Sequence, residues 1–491
     1  MQKRPSWMVI FCILVFIFLF STVVQSSAPE IPNTPSGKLL ALLLDAFNSG
    51  EEEKWESFIK DHWKEKEGAF EGRLNFFRMV YSDIGGAELY RIENSEDYSI
   101  SVLLQAKNPE GTFEWVNLIL NADTLPPHKT DLLSLRPGEE PGFEAPEGKL
   151  TQEEMVDFMD RYLEHLVSTD RFSGTVLIAK DGVPFYTRAY GLACKRYDIP
   201  NKLDTKFNLG SMNKMFTGVA IMQLVEQGKI SVDDLVGKHL PDLPRKEIAE
   251  KVTIHHLLTH TSGMQDYWDE MFDAPFWEIK TVDQLAELIF DDTLLFEPGT
   301  DFHYSNSGPI VLGMIIEKVT GEDYYDYVRE HISLPAGMVN TDCYEIDTPV
   351  PNLAIGYTKV NYDGTRNPDG KWRNNLFMHA VKGGPAGGGF STVEDLLKFD
   401  IALRNNKLIT KESFDLLTTG KTERGPGTMY AYLFQDRKVN GQRIVGHGGG
   451  APGINANLDM YLDSGYTAAV MANYDQVADM VARKIEKLLV Q

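Results

Sequence analysis

The stretch Phe207-Asn208-Leu209-Gly210-Ser211-Met212-Asn213-Lys214 sets a serine three residues before a lysine. Apolar residues lead into a glycine, and helix-compatible residues follow from Ser211 through Leu224, which places the serine on the first turn of a helix. Positions three apart share a helix face, so the Lys214 amine is expected beside the Ser211 hydroxyl. A serine hydroxyl is a weak nucleophile and needs a neighbouring base. Lysine fills that role when burial or nearby cations loosen its proton, and Met215, Phe216 and Val219 are placed to bury it. The helix N-terminus supplies free amides and partial positive charge where negative charge would develop.

A Ser-x-x-Lys spacing occurs by chance in any long chain, so its company matters. Downstream lies Tyr304-Ser305-Asn306, after the turn Glu297-Pro298-Gly299; then His447-Gly448-Gly449-Gly450 follows the apolar strand Ile444-Val445. Singly, a Tyr-x-Asn reads as a loop and a His-Gly-Gly as a turn. In this order they form a set.

Together these residues resemble the serine β-lactamase and penicillin-binding-protein superfamily, in particular its class C-like branch of β-lactamases, esterases, D-aminopeptidases and D-alanyl-D-alanine carboxypeptidases. The resemblance covers roughly residues 150–491 and is reinforced by Ile254-His255-His256-Leu257-Leu258-Thr259-His260-Thr261-Ser262-Gly263 and by Gly387-Gly388-Gly389-Phe390-Ser391-Thr392. It implies an α+β fold: an antiparallel sheet flanked by helices, with the site at the sheet's edge beside an all-α region. It further implies that Ser211 attacks a carbonyl carbon while Lys214 and Tyr304 take and return the proton. Asn306 would orient the substrate amide or the lysine, and the backbone N–H groups of Ser211 and Gly450 would form an oxyanion hole. His447, Gly448 and Gly449 would contact substrate.

His447 stands where many relatives carry lysine. A histidine is mostly neutral at pH 7 unless perturbed, so the resemblance implies weak handling of carboxylate-bearing substrates and favours esterase or peptidase chemistry over efficient β-lactam hydrolysis. Arg443 and Lys382 are the alternative cations for a substrate carboxylate. Small esters, amides or D-amino-acid peptides are the expected substrates, with no cofactor. A non-catalytic protein binding peptidoglycan-like ligands, or a self-associating scaffold, is the competing reading on this fold; the chemically intact motifs argue against the former. Ser262 is a rival nucleophile beside His260, but its Thr-Ser-Gly setting reads as a helix-ending turn. His303 reads as a loop residue next to Tyr304.

The chain has 491 residues, 43% of them hydrophobic, enough for two or three domains with a substantial core. Its formal net charge of −23 argues against nucleic-acid binding. Lys3 and Arg4 precede an apolar run from Met8 to Phe20, followed by small and polar residues. This reads as an export signal over residues 1–26, cleaved near Ser27, for a secreted or periplasmic protein. A retained membrane anchor is the alternative, since the run extended to Val24 nears the length of a membrane helix. Cys194 and Cys343 read as free buried thiols, and His255, His256 and His260 lack an acidic partner at metal-ligand spacing, so no metal is expected.

Residues 27–36 read as a flexible lead and 37–135 as an accessory α+β domain. In it, helices over Lys38–Asn48 and from Glu52 to Lys64 precede strands at 87–93, 98–106, 113–120 and 128–135, an order resembling NTF2-like or cystatin-like cones. The Pro- and Gly-rich segment 136–148 has linker composition. Residues 149–491 form the hydrolase-like domain, with a helix over 151–166, a hairpin around Asp181-Gly182, strands at 442–445, 456–462 and 467–473, and a closing helix. Ser391-Thr392-Val393-Glu394 has capping-box spacing.

Overall fold

A computed structural model describes residues 29–491 apart from 67–68, 109–113, 268–275, 290–292, 362–364, 366, 368–369 and 426. The expected export signal, residues 1–26, therefore lies outside the described residues. Among the described residues no helix is long and apolar enough to cross a membrane. The chain divides into two compact units, Met1–Glu139 and Glu140–Gln491.

The first unit opens with the helix Pro35–Ser49, whose N-cap Thr34 accepts from the Gly37 amide and whose chain exits through Gly50 in the left-handed region. The lead expected through residue 36 is thus shorter. Helices Glu52–His62 and Ala69–Ile84 follow, then a meander of four antiparallel strands in sequential order, Ala87–Ser95, Ser99–Ala106, Trp115–Ala122 and Thr130–Pro137. Alternate residues Ile100, Val102 and Leu104 are buried because a strand turns every second side chain to the same face. Trp55 and Trp63 join that core.

The second unit is built on an eight-stranded antiparallel sheet ordered Thr422–Gly425, Thr428–Tyr430, Gln435–Val439, Gln442–Ala451, Ile454–Tyr461, Tyr466–Ala472, Gly174–Lys180, Val183–Tyr190. Chain ends meet in its middle, where Tyr466–Ala472 pairs with Gly174–Lys180. Both faces of Ile454–Tyr461 are buried, as a strand covered on each side by helices requires. One face carries the first and last helices, Gln152–Ser168 and Val477–Leu489, in a single apolar cluster. The other packs on Lys214–Glu226 and Val393–Arg404.

Three features differ from the sequence reading. The strands Thr422–Gly425, Thr428–Tyr430 and Gln435–Val439 are short and mostly polar, and they lacked a legible alternation. The helix at 393 is capped by Thr392, which accepts from the Asp395 amide, because Ser391 is held in a two-residue strand and bonds Thr341. Part of the linker-like segment is docked on the second unit. Phe143 stacks on His165, Glu140 accepts from His165 and Arg171, and Lys484 donates to the Phe143 carbonyl.

Candidate active site

Ser211 sits in a 3₁₀ turn, Gly210–Asn213, that runs directly into the helix Lys214–Glu226. Gly210 has φ +51°, and a Cβ there would come within 2.9 Å of the Gly450 amide nitrogen, so this turn requires glycine. The strand beside it is equally tight: a Cβ on Gly449 would lie 1.9 Å from the Leu209 carbonyl oxygen. His447-Gly448-Gly449-Gly450 is therefore not a turn. It continues the strand Gln442–Ala451, and its glycines let the Ser211 turn press against the sheet.

Lys214 is fully buried. Its amine donates to Ser211 Oγ at 3.0 Å, to Asn306 Oδ1 at 2.6 Å and to the Ala386 carbonyl at 2.5 Å. The Ala386 carbonyl is presented by the glycine-rich loop, where Gly389 accepts from the Leu209 amide and Gly388 donates to the Gly210 carbonyl. Asn306 stands immediately before the helix Ser307–Thr320 without making a capping hydrogen bond, and its Nδ2 donates to both oxygens of Asp266 at 3.2 and 2.9 Å. That carboxylate accepts only, so it turns the Asn306 carbonyl oxygen toward Lys214. The Lys214 amine also lies 5.0 Å from the centre of the Tyr304 ring.

Ser211, Tyr304, Asn306 and Gly450 line one cavity of about 200 Å³, together with Lys382. Gly448 and Gly449 carry the strand toward this cavity without lining it. Lys382 is paired with Glu345 at 3.5 Å and lies over the Tyr325 ring. Arg443 is elsewhere, bonded to Asp436 and Thr418.

His447 corrects the expectation of a carboxylate contact. It is 4% exposed and does not line the cavity. Its Nδ1–H donates to the Gly448 carbonyl, which leaves Nε2 to accept from the Tyr430 hydroxyl at 2.9 Å. Tyr430 in turn meets His260 Nε2 at 3.0 Å, and His260 Nδ1 accepts from the Ser305 amide. The hydrogens thus run one way, from Ser305 through His260, Tyr430 and His447 to Gly448, with every member neutral. Desolvation, reinforced by the Lys214 charge, pushes the His447 pKa down to about 3 and holds His260 well below its ordinary value. Burial raises the Tyr430 phenol well above its ordinary value. The His260 ring packs 4.4 Å from that of Tyr304.

Asp266, Tyr430, His260 and the exposed Arg424, whose guanidinium is 5.9 Å from the Tyr304 ring, are the site neighbours that sequence reasoning missed. His260 was quoted within a longer phrase, and the others stand in loops or short strands without a pattern. Ser262 is buried, with its hydroxyl accepting from the Met264 amide, and it does not line the cavity. His255 bonds the Tyr432 hydroxyl and His256 caps the Thr253 amide, so each of these histidines has its own structural partner. Cys194 and Cys343 are free and buried, and burial pushes the Cys343 thiol up to about 12.

The Ser211 turn, central antiparallel sheet and glycine-rich strand coincide with a sequence match to the family described as Beta-lactamase over residues 159–491. The chain belongs to the beta-lactamase family. Within this family it is 32% identical to penicillin-binding protein 4* of Bacillus subtilis, over 64% of this chain and 70% of that protein. Among solved structures, a penicillin-binding protein from Bacillus halodurans superposes with a TM-score of 0.61 at 31% identity, covering 66% of this chain and 99% of that one. A D-stereospecific amidohydrolase from Streptomyces sp. gives a TM-score of 0.57 at 26% identity, covering 67% of this chain and 97% of that one. The beta-lactamase-family unit is thus a serine hydrolase on the β-lactamase/transpeptidase fold.

Proposed function

We propose that this chain transfers acyl groups from small esters, D-amino-acid amides or peptides to water through an acyl-enzyme on Ser211. The observation that carries the reading is the Lys214 amine. Two of its positions are held by Asn306 Oδ1 and the Ala386 carbonyl, and the remaining one faces Ser211 Oγ at 3.0 Å. In the neutral amine that position is the lone pair, which accepts the hydroxyl proton as Oγ bonds to the substrate carbonyl carbon. The carbonyl oxygen becomes an oxyanion held by the amides of Ser211 and Gly450, a contact worth about 3–4 kcal/mol of barrier per donor. As the tetrahedral species collapses, the leaving group takes a proton from the Lys214–Tyr304 pair. Water then attacks the acyl carbon from the same side and gives up a proton to that pair; the bond from the acyl carbon to Ser211 Oγ breaks as the pair returns the proton to Oγ, which releases the acid and restores the serine.

The D-amino-acid part of this reading draws on the likeness to a D-stereospecific amidohydrolase, and the peptide part on the penicillin-binding relatives. The apolar N-terminal run supports export, so action outside the cytoplasm belongs to the same proposal. The test is covalent labelling with a fluorophosphonate and with a fluorescent penicillin, each adduct being located by mass spectrometry. Wild type is expected to carry the phosphonyl adduct on Ser211. Ser211→Ala is expected to lose it and to lose ester turnover by several orders of magnitude with an unchanged melting temperature. An adduct on Ser262 in that variant would overturn the assignment.

A further inference from the structure

Most cations that could face a substrate carboxylate are already engaged. The Lys214 amine is taken up by Ser211, Asn306 and the Ala386 carbonyl, and Lys382 lies over the Tyr325 ring and against Glu345. Arg443 is held by Asp436 and Thr418, and desolvation keeps His447 neutral. Arg424 differs. It is exposed, and among the described residues its guanidinium has neither a hydrogen bond nor an ion pair. Asp479 feels its charge but bonds Asn455 instead. In a chain of net charge −23 acidic partners are plentiful, yet no described one pairs with this arginine.

Its place on Tyr304 decides which part of a substrate it meets. That ring packs on His260 at 4.4 Å and on Tyr430 at 6.3 Å, with the Lys214 amine 5.0 Å and the Arg424 guanidinium 5.9 Å from its centre. The first three are buried, so Arg424 marks the side of the tyrosine that opens to solvent. An aromatic face attracts a cation and holds it there, and the charge reaches His260, Tyr430 and His447. Tyr304 lines the catalytic cavity and Arg424 does not. The acyl half of a substrate occupies that cavity, beside the amides of Ser211 and Gly450. The leaving half takes its proton from the Lys214–Tyr304 pair, so it is the half that stays next to Tyr304 and emerges toward Arg424.

We propose that Arg424 is a specificity-determining residue that binds an anionic group on the leaving half of the substrate, a carboxylate close to the amine or alcohol being expelled. It rests on the acyl-enzyme reading given above. A guanidinium meets a carboxylate through two parallel N–H···O bonds and keeps its charge at any working pH. Recognition of a carboxylate thus lies on the edge strand Thr422–Gly425 rather than on the strand that carries His447.

The test uses the full chain and two esters that yield the same acetyl-enzyme, 3-acetoxybenzoate and 3-acetoxybenzamide, so that their kcat/KM values differ only through the leaving half. Arg424→Gln is expected to lower the anionic-to-neutral ratio of kcat/KM about fivefold at low ionic strength, with Arg424→Lys lowering it less and Arg424→Glu more. Added salt should shrink the wild-type ratio and have little effect on that of Arg424→Gln. A second pair, phenyl hydrogen adipate and phenyl hexanoate, carries the carboxylate on the acyl half, and its ratio should not respond to Arg424→Gln. If wild type labels at Ser211 but the acetoxy ratio is the same in wild type and Arg424→Gln, whether or not both rates fall, the arginine only packs on Tyr304; the proposal is then refuted and the acyl-enzyme reading stands. An adipate ratio that falls as steeply as the acetoxy ratio would equally refute a site for the leaving half. Absence of labelling and of all ester turnover in wild type would remove both.

Discussion

Burial keeps the pKa of His447 near about 3 and its ring neutral at working pH. Its protonation therefore does not track the binding of an anionic substrate. The kcat/KM ratio between a neutral ester and its carboxylate-bearing analogue is expected to show no inflection between pH 5.5 and 8.5 that His447→Gln removes; such an inflection would restore the histidine to the carboxylate. A stability effect follows with a definite sign. The folded pKa lies below the ordinary value of about 6.5, so the unfolded chain binds the extra proton between the two. The stabilisation is complete above pH 6.5 and declines as pH falls toward 3. Melting temperatures from pH 7.5 to 4.5 should fall more steeply in wild type than in His447→Gln. Asp266 belongs to the same scale. Because it aims the Asn306 carbonyl at Lys214, Asp266→Leu frees that amide to rotate, and kcat is expected to drop about ten- to hundredfold, roughly 1.4–2.8 kcal/mol of barrier. An unchanged kcat would show that the lysine needs no oriented amide.

The glycine-rich strand and the Ser211 turn function as one element. Gly449→Ala must drive them apart, since its Cβ would meet the Leu209 carbonyl, and both a lower melting temperature and at least a tenfold loss of kcat are expected. Gly425→Ala is the control, because nothing lies within 4 Å of a Cβ there. Equal behaviour of the two variants would contradict the close approach. The neutral chain from Ser305 to Gly448 ties the Tyr304 loop to that strand. Tyr430→Phe keeps the ring and removes one hydroxyl, leaving His260 Nε2–H and His447 Nε2 buried without partners. The expected cost is about 1–3 kcal/mol for each group, read by denaturant unfolding.

At the scale of the molecule, the boundary falls at Glu139 and Glu140. A chain beginning at Glu140 keeps Phe143 against Tyr162 and His165 and the pairing of Glu140 with Arg171. One beginning at Lys149 loses both. We expect the longer form to fold and turn over a small ester, and the shorter one to be less stable by about 1–3 kcal/mol in urea unfolding, the scale of removing a half-buried aromatic and its neighbours. Equal stability would mean that residues 140–148 only rest on the surface.

Ser211 and Lys214 were legible because their meeting is local: the backbone geometry of one turn fixes it, whatever lies beyond. The long helices and the central strands were legible for the same reason, as periodic burial leaves its trace in consecutive residues. The edge strands from Thr422 to Val439 left no such trace, since they are short and polar and are held by pairing to a neighbour. The environment of His447 depends on Tyr430, seventeen residues away, and on His260, from a different part of the chain. The aim of Asn306 depends on Asp266, forty residues before it. A residue's type and its local spacing state what chemistry it is capable of. Whether that group meets solvent, substrate or a buried partner is set by desolvation and by contacts between distant segments, and those exist only once the chain has packed.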